Sequence, residues 1–132
     1  MKREEFLQSN LYILDKIKLI KDQIKDSTTS IDRNYRKEAE YIHDYIDKYI
    51  FLIKKQNILK DKNKRIDILE ESIAALNVIK WYVDYLQEKV KISDRVYISI
   101  GRNLEDLTKM TIALKNYIDG AKRWKRKWKT NR

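Results

Sequence analysis

The residues best suited to chemistry sit at the C-terminus, in GAKRWKRKWKTNR, residues 120–132, which hold seven Lys or Arg, two Trp and no acidic residue. Lys122, Arg123, Lys125, Arg126, Lys127, Lys129 and Arg132 supply charge that phosphates neutralise with release of counterions. In a helix Trp124 and Trp128 are four apart and share a face, and indoles among cations stack on exposed bases or pack against a partner. These nine residues are the candidate nucleic-acid contacts. Six or seven phosphate contacts would lower log affinity by about 0.7 to 0.9 per contact for each tenfold rise in salt. Two other readings fit the segment: a charged end kept for solubility, and a segment lying on an anionic membrane. The second has little support, because almost no aliphatic residue accompanies the two indoles.

Little else in the chain suits catalysis. There is no Cys and the only His is His43, which removes thiolate chemistry, disulfides and any Cys/His metal site. Asp44 and Asp47, or Glu70 and Glu71, form carboxylate pairs of the kind acid–base catalysis uses, but such pairs are common on solvated helix faces. The Glu-x-x-His spacing of di-iron bundles is absent. The expectation is a non-catalytic protein with no cofactor and no metal. Arg102 and Lys109 are secondary candidates for a basic surface, with an ordinary solvated face as the plainer reading.

Composition places these residues on a folded chain. At 42% hydrophobic and 38% charged, the 132 residues are too apolar for disorder and too charged to span a bilayer. The first fifteen residues, MKREEFLQSNLYILD, lack the apolar core of a secretory signal, so a cytoplasmic protein without a membrane segment is expected. Net charge is +10. Setting aside the seven tail cations leaves 23 basic against 20 acidic residues, so most of the excess lies at one end and points to an anionic partner.

The positioning elements follow from apolar spacing. Phe6, Ile13, Ile17, Ile20 and Ile24, flanked by Leu7, Leu11 and Leu14, mark a helix over about 4–25. The turn-forming DSTTSID, residues 26–32, ends it. Tyr35, Ala39, Ile42, Ile46, Tyr49 and Ile53 mark a second helix over about 33–58, with Tyr41, Tyr45 and Tyr49 as a neighbouring row. After the turn KDKNK, residues 60–64, the stripe Ile66, Leu69, Ile73, Leu76, Ile79, Val83, Leu86 and Val90 marks a third over about 65–91, with Val78, Tyr82 and Tyr85 beside it. Ser93 is placed to cap a fourth helix over about 94–119, with Asp94 in its first turn and Ile92 and Tyr97 as a hydrophobic staple. Its stripe is Tyr97, Ile100, Leu104, Leu107, Thr111, Leu114 and Ile118, and Gly120 either ends the helix or is crossed by it.

Four long helices joined by short turns predict an all-α, antiparallel up-down-up-down four-helix bundle over residues 1–119, with 120–132 as a basic, Trp-containing tail. The aromatic rows on the second and third helices exceed what a four-helix core needs. Such a surplus points either to a subunit interface or to Tyr residues at helix edges with their hydroxyls in water.

The second half resembles a known bacterial four-helix-bundle superfamily. LEESIAALNVIKWYVDYLQEKVKISDRVY, residues 69–97, is similar to its apolar third helix followed by an Ile-Ser-x-x-x-Tyr cap, here Ile92, Ser93 and Tyr97. LTKMTIALKNYI, residues 107–118, resembles its last helix, with Leu107, Lys109, Met110, Leu114 and Tyr117 at matching places and Thr108 and Ala113 where the family has Gly. The second helix, YIDKYIFLIKKQN, is nearer to the accessory variability determinant proteins (Avd) of diversity-generating retroelements than to the ribosomal intervening-sequence proteins of the same superfamily. The resemblance implies a non-catalytic partner of a reverse transcriptase, assembled as a basic homopentamer that binds RNA or DNA in mutagenic retrohoming. The alternative is a self-assembling structural bundle of the intervening-sequence type, with a basic solubility or docking tail.

Overall fold

A computed structural model describes the backbone of residues 3–29, 33–90 and 92–130, and the side chains of residues 11–29, 33–90 and 92–120. It is an all-α bundle with helices α1 (Arg3–Thr28), α2 (Arg36–Ile58), α3 (Lys62–Val90) and α4 (Asp94–Thr130); one 3-10 turn, Arg33–Tyr35, leads into α2. Each helix packs on the next and α4 closes back on α1, with α2–α3 the most extensive seam and α1–α2 the thinnest. Paired residues run in opposite directions along each seam, as short connections require: Tyr35 meets Tyr85 while Lys48 meets Glu71, and Gln23 meets Ser99 while Lys16 meets Asp106.

The helix ends lie where side-chain oxygens meet orphan backbone groups. In α1 the hydroxyls of Ser27 and Thr28 donate to the Ile24 carbonyl at 3.1 and 2.7 Å, and Thr29 donates to the Lys25 carbonyl at 2.7 Å. Hydroxyls expected to break the helix thus extend it to Thr28, by occupying carbonyls of its last turn. At the start of α3, Asp61 Oδ1 accepts from the backbone N–H of Asn63 at 2.9 Å and of Lys64 at 3.3 Å. That N-cap starts the helix at Lys62, three residues before the periodic stripe alone indicates.

The core is built from the predicted stripes. Ile13, Ile17, Ile20 and Ile24 of α1 meet Ile42, Ile46, Tyr49 and Ile53 of α2, Leu69, Leu76, Ile79, Val83 and Leu86 of α3, and Ile100, Leu104, Leu107 and Leu114 of α4, all buried. Leu14 is half-buried against this cluster and Leu11 is exposed, while Phe6 and Leu7 lie outside the described side chains. Truncating one such Leu or Ile to Ala typically costs about 2–5 kcal/mol. The polar side chains within the core are hydrogen-bonded: the Tyr49 hydroxyl and Thr111 Oγ1 share a 2.8 Å hydrogen bond, Thr111 also donates to Leu107 O, and Ser72 donates to Ile68 O, whereas Glu38 Oε2 and Gln87 Oε1 are shielded from solvent without a partner among the described residues. Burial pushes the Tyr49 phenol up, with the Thr111 hydrogen bond opposing the shift. Gln56, fully buried, donates to Ile53 O and accepts from the Arg65 guanidinium, tying the end of α2 to the start of α3.

Among the described residues, one ion pair bridges each seam: Lys21–Asp47 at 3.1 Å (α1–α2), Lys48–Glu71 at 3.6 Å (α2–α3), Lys115–Glu70 at 3.0 Å (α3–α4) and Lys16–Asp106 at 3.6 Å (α4–α1). All four are partly exposed and contribute little energy, typically about 0–1 kcal/mol each. Their larger effect is on the surface charge left over, since each removes one cation and one anion from what a partner can meet.

Candidate nucleic-acid interface

The candidate tail is carried by α4, whose backbone crosses Gly120 and continues to Thr130. A Cβ at Gly120 would meet nothing within 4 Å, so no close approach requires glycine there. From the antiparallel pairing and the helical rise, the first residues of α1 and α3 lie level with about Gly120 of α4. Lys122, Arg123, Trp124, Lys125, Arg126, Lys127, Trp128 and Lys129 fall within the α4 backbone. Their side chains, and Arg132 altogether, lie outside the described residues.

Sequence pattern undervalued the N-terminal half of α4. Arg95, Arg102 and Lys109 recur at seven-residue steps and all three are exposed. Lys109 is held by Glu105 at 3.2 Å, whereas Arg95 and Arg102 have no ion pair among the described residues. Hollows flank this row. A groove of about 600 Å³ between α3 and α4 is floored by Leu76 and Leu104 and edged by Lys80, Arg102 and Lys109. On the other side of α4, a hollow of about 480 Å³ lies between Arg95 and Arg102, with Ile98, Ser99, Asn103 and Asp106 around it. Arg102 borders both.

The α3–α4 groove ends at a hydrogen-bonded cluster. Tyr97 donates to Asp84 Oδ1 at 2.6 Å, Lys80 Nζ reaches the same oxygen at 2.6 Å, and the ammonium lies 5.2 Å from the centre of the Tyr97 ring. Burial alone would lower the Lys80 ammonium, but the Asp84 hydrogen bond and charge, with Tyr97, outweigh it and raise it. The Tyr97 hydroxyl is raised first by its hydrogen bond to Asp84 and then by burial. Tyr97, predicted as a staple residue, also packs on the core beside Ile92.

The predicted aromatic rows converge on the outer surface of the α2–α3 pair. Tyr82 lies at the centre, with ring centroids 5.7 Å from Tyr41, 6.4 Å from Tyr45 and 4.8 Å from Trp81; Tyr85 lies 6.1 Å from Trp81 and 6.5 Å from Tyr35. Trp81 remains 61% exposed and Tyr41 44%. Lys48 lies 5.9 Å above Tyr45, and Lys89 the same distance above Tyr85. Tyr49, common to the core stripe and to the row of Tyr41 and Tyr45, belongs to the core, as the stripe predicts.

His43 is half-buried on the α1–α2 seam. Burial, then the Lys21 charge, lowers its imidazole below the ordinary value; Asp47 and Asp44 oppose the shift and Lys25 adds to it. Its neighbours are those of a seam residue. Among the described residues, no three His, Cys, Asp or Glu side chains gather to hold a metal ion, and no helix is long and apolar enough to cross a membrane.

The chain matches no protein-family model, no curated protein and no solved structure.

Proposed function

We propose that this chain is a non-catalytic accessory protein that binds nucleic acid, RNA or DNA, through the basic end of α4 and serves a reverse transcriptase in the manner of the accessory variability determinant proteins it resembles. The observation that carries the reading is the placement of charge. Seven of the cations behind the net charge of +10 fall in residues 120–132, in a segment where α4 runs past the level at which the other helices end. Clustered charge of this kind drives sequence-independent association with phosphate. This reading places the protein in the cytoplasm.

A second feature supports assembly into a homo-oligomer, a pentamer by the resemblance. Trp81, Tyr41 and their neighbours form an exposed aromatic face of the composition enriched in the centres of subunit contacts. The same face favours the other reading, a self-assembling structural bundle of the intervening-sequence type whose basic tail serves solubility or docking.

The two readings part on salt. In the full chain, Lys122, Arg123, Lys125, Arg126, Lys127 and Lys129 would be replaced together by Gln, and fluorescence anisotropy measured with labelled structured RNA and duplex DNA at about 50 and 200 mM salt. The accessory reading requires tight, steeply salt-dependent binding by the native chain and its loss in the variant. No binding by the native chain at low salt would leave the structural bundle.

A further inference from the structure

We infer that α4 carries a second nucleic-acid contact on the body of the bundle, where Arg95 and Arg102 grip a sugar-phosphate segment across the hollow between them. The inference rests on the nucleic-acid reading above and extends it to residues that the tail does not include.

Several cations on the described surface of the bundle already have partners. Along the surface of the bundle, Lys16, Lys21, Lys48, Lys80, Lys109 and Lys115 are each committed to a carboxylate. Lys55 and Lys89 lie over aromatic rings. Other exposed cations, among them Lys18, Lys25, Arg36 and Lys37, also have no ion pair among the described residues, but Arg95 and Arg102 share one hollow, of about 480 Å³, which both border. Seven residues of helix separate them by about 10 Å along the axis, so their side chains reach toward a common segment from its two ends. Guanidinium groups suit this contact because their planar donor fork matches phosphate oxygens in pairs.

The hollow is built to keep its shape. Gln23 of α1 donates to Ser99 Oγ at 2.8 Å and accepts from Asn103 Nδ2 at 2.8 Å, stitching α1 to α4 beneath it. Asp106, at its edge, is neutralised by Lys16. Asp26 lines the adjoining hollow beside Arg95 and opposes an anion there, as Asp94, next to Arg95, and Glu105, which lines the other groove beside Arg102, do less directly. Ile98, 50% exposed, offers a small apolar contact suited to a sugar face. Between Arg95 and Lys109 the one aromatic residue is Tyr97, which packs on the core with Lys80 over its ring, and no aromatic residue lines the hollow, so no ring there stands ready to stack a base. The contact is therefore made to backbone phosphate and is indifferent to base sequence. The heptad row passes through Lys109 and continues in sequence to Arg123, linking this contact to the basic end of the same helix.

The test uses the full chain with fluorescein-labelled single-stranded probes, oligo-U and oligo-dT of about 20 nucleotides, titrated from about 50 to 300 mM salt. Arg95→Gln with Arg102→Gln should flatten the slope of log affinity against log salt by about 1.4, two contacts at about 0.7 each. Arg95→Lys with Arg102→Lys, which keeps the charge, should recover most of the slope. Asp26→Asn should tighten binding a few-fold, and Lys21→Gln, whose cation is already paired, should leave the slope unchanged. Probe preference then reads RNA against DNA. A native chain that binds steeply while the double Gln variant keeps the full slope would overturn the inference and leave the tail reading intact. Unchanged slopes together with lost binding to phosphatidylserine vesicles would overturn it in favour of a lipid surface. Failure of the native chain to bind either probe at low salt removes both readings. Circular dichroism of each variant confirms that the helices persist.

Discussion

The outer surface of α2–α3 and the outer surface of α4 are made by the same rule, helical positions just off the core stripe, yet they present opposite chemistry. On α2–α3 the off-stripe residues are rings that contact one another at 4.8–6.4 Å around Tyr82, and the nearby Lys48 and Lys89 lie over those rings. On α4 the corresponding positions are Arg95 and Arg102, with neither ring nor carboxylate to hold them among the described residues. An aromatic surface absorbs its cations through cation–π contacts and offers apolar area. A surface whose guanidinium groups are left over offers charge. One bundle thus separates a face suited to protein from a face suited to phosphate.

The largest effect expected from breaking this separation is on the charged side. Neutralising the six Lys and Arg at 122–129 should weaken RNA binding by about a thousandfold or more near 0.1 M salt, while sedimentation velocity of the variant stays that of the native chain. A change in both would mean that tail and aromatic face are one surface. On the aromatic side, Trp81→Glu puts a charge at the most exposed ring of the patch; it should weaken self-association by at least about 30-fold, the scale of a 2 kcal/mol hot spot, with the salt slope per protomer unchanged. Sedimentation equilibrium together with the anisotropy titration reads both quantities.

Smaller effects sharpen the comparison by testing the frame that holds the two faces apart. Tyr49→Phe removes the hydrogen bond that joins α2 to α4 across the core, while Thr111 keeps its bond to Leu107 O. The expected loss is about 1 kcal/mol in chemical denaturation, with both binding activities retained. The smallest effect is at the thin α1–α2 seam. His43 holds its proton less readily folded than unfolded, so its contribution to stability is present above about pH 6.5 and declines as pH falls through that value toward the folded pKa. His43→Gln should remove that share of the acid slope, seen as a flatter dependence of Tm on pH between about 7 and 5.

Much of the fold was legible because burial in a bundle repeats with the helix. The stripes Ile13 to Ile24, Ala39 to Ile53, Leu69 to Leu86 and Ile100 to Ile118 are buried as spacing indicated, except that Ile73 is only half-buried and Ser72 and Ala75 face the core in its place. Helix ends were less legible, since they turn on single hydrogen bonds: the Asp61 cap and the backward bonds of Ser27, Thr28 and Thr29 move boundaries by about a turn without changing the apolar pattern. The tail announced itself by composition. Arg102 was only a secondary candidate and Arg95 was not singled out, because a cation on a solvated helix face carries no sign in the sequence of whether a carboxylate, as for Lys16 or Lys109, will meet it in the fold.

The sequence by itself therefore determined what depends on one helix at a time: the number of helices, the residues that each turns inward, and the concentration of positive charge at one end. Tertiary structure decided what depends on pairs. It chose which cations are consumed by Asp47, Glu71, Glu70 and Asp106 across the seams, that the buried Tyr49 hydroxyl meets Thr111, and which rings gather around Tyr82. Periodicity along a chain carries the first kind of information, whereas partners far apart in sequence meet only when the helices pack.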